Sequence, residues 1–564
     1  MVQYCDPGLA LCMFVAFTGI FHGYDNGVVN GIFEMAAFRS HMGWPPSTDE
    51  HAQTSLVALH QGLTVNGFNA GAALSALAFG TWLVDVKGRR PALLLGSALF
   101  AAGGAIQATS ASAASLIFGR LVAGVGVGLT SSSGTSYIAE VAPAHSRGAM
   151  VGMYQNNICI AIVLAAVVNW VVRDWDEGWR LSLGLQVGMG LFACVGLCFV
   201  PETPRFLVKV GREEEARAVL ATIRADAAAA SAELDGIVAE AQREAAAGEA
   251  TWREIFTTPS FRNVVVLGCG VQFAQIITGI NALVSFSGTM FVQLGVAGLM
   301  AALLPFVAFL LGNMLGAFVL VDRLGRRPIL AWGMVGMAFT LLTAGLTNVA
   351  LPDAGGVAIA CVIGYMACFG ASWGYGAWLY IPEIMPLRVR GKAVGLCTFI
   401  NWGPANLASA FLTPWMLQPS VLGAGGTLLF FGCVAVVFVP FAILCLPETK
   451  GLPLEKILPM FAFHGMAGLR RFISGNLAHG GGMSAHVGRE TPRCQLATLD
   501  GAAEQGRVAG QGGAAEPQGE PAATSTRAGA APLECVAAER EASQPQDHFG
   551  RREPPRVEQV VTRL

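Results

Sequence analysis

Asp85-Val86-Lys87-Gly88-Arg89-Arg90 returns as Asp322-Arg323-Leu324-Gly325-Arg326-Arg327, about 240 residues further along a chain of 564. Two other landmarks keep nearly that spacing. Glu140 with Arg147-Gly148 reappears as Glu383 with Arg390-Gly391, and Pro201-Glu202-Thr203 as Pro447-Glu448-Thr449. Three polar landmarks sharing one period mark two halves descended from a single unit.

Between the landmarks the chain is apolar. Hydrophobic residues make up 54% and charged residues only 13%, against about 25% charged in an ordinary soluble domain. Mean hydropathy is +0.54. A net charge of −2 offers no basic field for phosphates, so a nucleic-acid partner is excluded. Most of the 13 cysteines sit in apolar runs, where a thiol behaves as a small hydrophobe. No CxxC or zinc-spaced Cys/His cluster stands out, so neither a metal nor a cofactor is expected. Nor is an enzyme: there is no nucleophile elbow or phosphate loop, and Gly124-Val125-Gly126-Val127-Gly128 lies inside an apolar run, not after a strand.

A membrane span needs about 20 apolar residues. Runs of that size occupy 9–31, 60–84, 91–110, 114–140, 148–172 and 181–200, then 263–292, 298–321, 329–349, 357–382, 392–416 and 427–446. The second and fifth are diluted by polar residues. The expectation is an all-α membrane protein with twelve transmembrane helices in two six-helix bundles, residues 1–200 and 263–447, sitting in a lipid bilayer. Parallel repeats of this kind build transporters, with the substrate near the midplane between halves. The first run, starting near Leu9 without a basic leader, reads as a retained span rather than a signal peptide. Basic residues crowd the even-numbered connections (Lys87, Arg89, Arg90; Arg147; Arg323, Arg326, Arg327; Arg388, Arg390, Lys392), which places those connections and both termini in the cytoplasm. Residues 201–262 mix Glu, Arg and Ala at helical spacing and read as short cytoplasmic helices. Residues 448–564 form a cytoplasmic tail, and from about Gly475 its Gly, Ala, Glu, Gln and Pro predict disorder. The terminal Thr562-Arg563-Leu564 fits a carboxylate-capture motif for a tail-binding partner.

The duplicated polar groups carry their own chemistry. Asp85 and Asp322 can accept hydrogen bonds at helix ends, and Arg89, Arg90, Arg147, Arg326, Arg327 and Arg390 can pair with Glu140, Glu202, Glu383 or Glu448. Such pairs are expected either to latch the halves together on the cytoplasmic face in one state, or simply to anchor the topology.

Several of these strings, in order, resemble the sugar porter branch of the major facilitator superfamily: Gly119-Arg120, Tyr137, Glu140 and Arg147-Gly148; PETPR at 201–205; Gly279-Ile280-Asn281; PETKG at 447–451. The match covers roughly residues 10–458. Gly23-Tyr24-Asp25-Asn26-Gly27-Val28 is similar to the plant and algal proton–monosaccharide symporters. The resemblance implies alternating access, with a monosaccharide, a glucose-like hexose, and protons as substrates; proton-motive uptake suggests the plasma membrane, a vacuolar or plastid address being the alternative. It also implies sugar contacts at Gln155, Gln275, Asn281, Trp378 and Asn401. Amides suit hydroxyls that donate and accept, and an indole face suits the C–H faces of a sugar. Ile276, Phe286, Thr135, His22 and Leu310 depart from the family pattern, Asn313 lying almost one turn after Leu310.

Asp25 is the most informative residue. A carboxylate at a helix centre costs about 2.5–3.5 kcal/mol on insertion scales, so it should pair or titrate. Arg120 is the natural partner, on an i, i+4 stripe with Gly124 and Gly128 that lets a neighbouring helix approach. Separating the pair would change proton affinity, which makes Asp25 and Arg120 the expected proton couple. His22 is expected to pack as a neutral ring or to relay the proton. The alternatives are an uncoupled sugar or polyol facilitator, and a sugar sensor signalling through the tail.

Overall fold

The computed structural model describes residues 7–46, 54–76, 81–143, 147–224, 226–248, 250–295, 299–351, 354–386, 388–450, 458–461 and 472–474. The tail beyond 474, with its terminal motif, lies outside the described residues.

Ten helices among these are long and apolar enough to cross a bilayer: Pro7–Ile32, Arg89–Ala108, Ala113–Val141, Gly148–Val172, Gly178–Leu197, Pro259–Gln293, Leu303–Leu320, Arg326–Ala350, Gly355–Ile384 and Gly423–Leu444. Two further helical runs complete the expected six plus six, Ser55–Leu74 in the first half and 390–416 in the second. The fifth span is apolar enough after all, and the eleventh falls short beside the second. In Ser55–Leu74 the cause is the buried polar set Gln61, Thr64, Asn66 and Asn69. In the eleventh, Arg390 and Lys392 open the run and a π-helical turn at Asn401–Ala405 interrupts it.

The two halves repeat one packing scheme. Arg89–Ala108 packs on Ala113–Val141 and Gly178–Leu197; its counterpart Arg326–Ala350 packs on Gly355–Phe369 and Gly423–Leu444. The halves meet along Ser55–Leu74 with Asn406–Met416, along 148–172 with Leu299–Leu315, and along Gly19–Ile32 with Ile280–Gln293. Between them the linker folds into Pro204–Lys209, Glu213–Ile223, Ala227–Ala247 and Trp252–Thr257.

Four helices of the second half are locally broken, the eighth span by a π-turn at Gly316–Leu320, and the other three breaks set the polar groups described below. Gly279, at φ 105°, ends Pro259–Ile277 and restarts the chain as Ile280–Gln293. That left-handed backbone is open to glycine at little cost. π-Turns at Gly370–Gly374 and Asn401–Ala405 free backbone carbonyls and re-aim side chains, a feature concentrated at functional sites.

Candidate functional site: a buried ion pair and an amide cluster

Asp25 and Arg120 come together in the first half, both fully buried. Arg120 Nη1 lies 3.0 Å from Asp25 Oδ2. The same nitrogen donates to the Asp25 backbone oxygen at 2.6 Å, and Nε donates to Thr64 O at 3.1 Å. The guanidinium also stands 5.1 Å from the centre of the Phe68 ring. Gln107 Nε2 donates to Asp25 Oδ1 and to Gln186 Oε1, both at 3.3 Å. The glycine stripe does what its spacing predicts: a Cβ on Gly124 would strike Phe68 O and one on Gly128 would strike Ala72 O, so the second helix lies directly against the fourth.

A second polar group forms in the other half. Asn401 Nδ2 donates to Gln272 Oε1 at 2.7 Å and to Gln275 Oε1 at 2.8 Å. Gln275 Nε2 donates to the π-turn carbonyls of Trp373, at 2.8 Å, and Gly374, at 3.2 Å. Asn406 Nδ2 donates to Asn401 O at 2.7 Å, and its Oδ1 accepts from Asn281. Three of the five sugar-contact candidates, Gln275, Asn281 and Asn401, therefore share one network. Gln155 is half-buried in another helix, hydrogen-bonded to Cys159. Trp378 is half-buried on Tyr375–Ile384 and, among the described residues, joins neither the network nor any ring contact. Trp402 follows Asn401 in the chain, and its ring lies 4.7 Å from His22 and 5.9 Å from Phe68. His22 is thus a packed ring between the halves, and Phe68 touches both polar groups' neighbours.

Gln272, Asn406, Trp402, Gln107 and Gln186 were missed from sequence. Gln272 stands one helical turn before Gln275, a spacing that puts both on one face. Gln107 and Gln186 are amides buried in apolar runs, the same signal that marked Asp25.

At the Arg89 and Arg326 ends the acids and arginines form two matching sets, each inside its own half. Arg89 Nη2 pairs with Glu140 at 2.8 Å, and Arg326 Nη2 with Glu383 at 2.8 Å. Thr203 and Thr449 hydroxyls donate to the same two glutamates. Glu202 and Glu448 act differently from the expected arginine partners. Glu202 accepts from the backbone N–H groups of Arg89 and Arg90, both at 3.1 Å, and Glu448 from those of Arg326 at 3.0 Å and Arg327 at 3.1 Å. Each caps a helix start brought in from far along the chain, where orphan N–H groups and the helix dipole favour an anion. Gly88 and Gly325, at φ 101° and 95°, make room, since a Cβ there would collide with that carboxylate. Burial pushes the Glu202 carboxyl above its ordinary range, and the backbone donors offset part of that.

The remaining members of these sets serve the same halves. Arg90 closes the end of Gly178–Leu197 by donating to Leu197 O and Cys198 O, Arg327 donates to Ile443 O, and Arg390 to Met385 O. Asp85 pairs with Lys209 of the linker at 3.3 Å. The side chains of Arg147 and Asp322 lie outside the described residues. In this arrangement the described pairs Arg89–Glu140 and Arg326–Glu383 each brace their own half, and Asp85–Lys209 ties the first half to the linker.

Hydrogen bonds between halves occur at the other end and midway. Asn30 Nδ2 donates to Ser287 Oγ at 3.1 Å and its Oδ1 accepts from Gly288 N at 2.7 Å. Glu34 accepts from the Thr289 hydroxyl at 2.5 Å. Asn313 Nδ2 donates to Asn156 Oδ1 at 2.8 Å, so the displaced span-eight asparagine meets span five.

Two parallel six-helix halves with a buried ion pair in one and an amide cluster in the other define a secondary transporter of the major facilitator type, not an enzyme. Residues 11–461 match the family described as Sugar (and other) transporter, and the chain belongs to that family. It is 32% identical over 467 residues, 79% of its own length and 86% of the relative's, to the H(+)/hexose cotransporter 1 of Parachlorella kessleri. It is 31% identical over 447 residues, covering 78% and 94%, to the glucose transporter GlcP of Staphylococcus epidermidis. Among solved structures, the major facilitator proton:xylose symporter XylE bound to 6-bromo-6-deoxy-D-glucose superposes with a TM-score of 0.67 at 26% identity, covering 81% of this chain and 100% of that one.

Proposed function

We propose that the protein is a proton-coupled monosaccharide symporter of the plasma membrane, with both termini cytoplasmic, working by alternating access. The buried contact between Asp25 and Arg120 carries this reading. A paired carboxylate without bulk water is held ionised by its guanidinium and pushed toward the neutral form by desolvation. Any rearrangement that loosens the pair therefore raises its proton affinity. Facing outward, Asp25 takes a proton, and its hold on Arg120 weakens. The first helix, which carries Asp25 and the His22 ring against Trp402, can then repack against a sugar bound at Gln155, Gln275, Asn281 and Asn401. Trp378 remains a candidate indole for the sugar face, with Trp402, which packs against His22 between the halves, as its rival. Facing inward, proton and sugar leave and the pair re-forms. The arginine–glutamate braces keep each half rigid while the halves rock.

Purified protein in liposomes with an imposed pH gradient, acid outside, tests this. Labelled D-glucose should accumulate above its external concentration and collapse to equilibrium on adding a protonophore. Equilibration without accumulation would leave a facilitator. Competition by hexoses, pentoses and polyols then defines the substrate.

A further inference from the structure

Three buried polar atoms in the seam beside the ion pair have no protein partner, Gln107 Oε1, Ser110 Oγ and Ser182 Oγ, while the Gln186 side chain hydrogen-bonds Asp25 itself. All four residues are at most 1% exposed. They belong to two helices packed together, Arg89–Ala108 with the turn after it and Gly178–Leu197. Ser182 and Gln186 stand one turn apart on one face. Gln107 touches both Gln186 and Asp25, and Tyr24, next to Asp25, donates to Ser182 O at 2.9 Å. Ser110, three residues past Gln107, closes the series at the surface. Its carbonyl is within 3.3 Å of His41 Nε2 and of Arg180 Nη1. His41 is exposed, and Arg180 is paired with Glu177 at 2.6 Å.

An orphaned buried polar group carries its full desolvation penalty. Three in one seam are a heavy cost unless water satisfies them, as buried water does where two to four polar partners converge. We propose that this seam between the third and sixth helices is a hydrated proton route joining the His41–Ser110 surface to Asp25, separate from the sugar's path between the halves. It rests on the symport reading above. The step is a simple transfer: a hydronium ion at the mouth gives up a proton, relayed along waters held by Ser110, Ser182 and the two amides. The proton bonds to an Asp25 carboxylate oxygen, and water is left behind. The amide cluster that faces the sugar contributes no atom to this route, so blocking the seam leaves sugar binding in place.

The test separates two rates in liposomes with labelled D-glucose as probe. Counterflow at equal pH exchanges sugar without requiring net proton entry, whereas gradient-driven uptake needs a proton delivered on every cycle. Ser182→Val and Ser110→Val, which fill the seam, should slow gradient-driven uptake severalfold and leave counterflow unchanged. Ser182→Ala and Ser110→Ala, which leave room for water, should keep most of both rates. Equal loss of both rates in all four variants, or no loss in the valine variants, overturns the route. A parent protein that shows counterflow but never accumulates sugar overturns the symport reading itself, whatever the variants do.

Discussion

Arg120 holds Asp25 twice, through the carboxylate at 3.0 Å and through the backbone oxygen of the same residue at 2.6 Å. Thr64 O accepts from the guanidinium as well. Protonating Asp25 removes the charge partner but leaves two carbonyl acceptors in place. The arginine is therefore loosened without being stranded, which suits a pair that must break and re-form every cycle.

Removing the arginine is a different matter. Arg120→Leu leaves an unpaired carboxylate buried beside Gln107, a loss of the kind that costs about 3–5 kcal/mol. Asp25→Asn keeps an amide that can still meet Gln107 and Arg120. Thermal unfolding in detergent should show Arg120→Leu far less stable than Asp25→Asn, and the double variant Arg120→Leu/Asp25→Asn should recover part of the loss. Equal destabilisation by the two single changes would contradict a true ion pair.

Within the amide cluster, the residues differ in how far the protein already uses them. Asn401 is buried and bonded to Gln272, Gln275 and Asn406, whereas Asn281 is half-buried with one partner, Asn406. Asn401→Ala should cost about 1–3 kcal/mol of stability by orphaning its neighbours. Asn281→Ala should leave the melting temperature nearly unchanged and raise KM for sugar about tenfold, equivalent to about 1.4 kcal/mol. Uptake kinetics and melting curves on the same preparations separate the two.

Legibility in the sequence followed the same physical line. A charge in an apolar run is conspicuous, so Asp25, Arg120 and the duplicated Gly-Arg-Arg turns could be read directly, as could most of the spans. Glu202 and Glu448 could not. Their capping role depends on the chain returning to the start of a helix over a hundred residues away, and nothing local distinguishes a carboxylate that will meet a guanidinium from one that will meet backbone N–H groups. Trp402 was hidden because tryptophan is ordinary in apolar runs, and only the fold places it, with Asn401, against His22.

The braces are confined to their own halves, and coupling energies report that. Glu140→Ala and Arg89→Ala should be non-additive in stability, because each alone leaves the other's charge half-buried. Arg89→Ala and Arg326→Ala should add. Strong coupling between the last two, measured by the same double-mutant cycle, would mean that the sets communicate across the halves.

Glu34 closes against Thr289 from the opposite half, with the Arg39 charge nearby; Ile280–Gln293 itself carries no ionisable side chain. Burial raises the Glu34 carboxyl above its ordinary value, the Thr289 hydroxyl and Arg39 offsetting part of the rise. The raised group binds its proton more tightly in the closed arrangement than when hydrated. Closure is therefore favoured at low pH and loses that contribution as pH climbs through the raised value. A cysteine at Ser287, labelled from outside with an impermeant reagent and normalised to denatured protein, should become less accessible as pH falls. Glu34→Gln should flatten that dependence.

The most direct measurement is gradient-driven accumulation by Asp25→Asn in liposomes, set beside its counterflow. Symport through Asp25 requires that the variant exchange labelled sugar across the membrane and fail to concentrate it, whatever the pH gradient. Accumulation at the parent's level would remove Asp25 from the coupling and contradict the account.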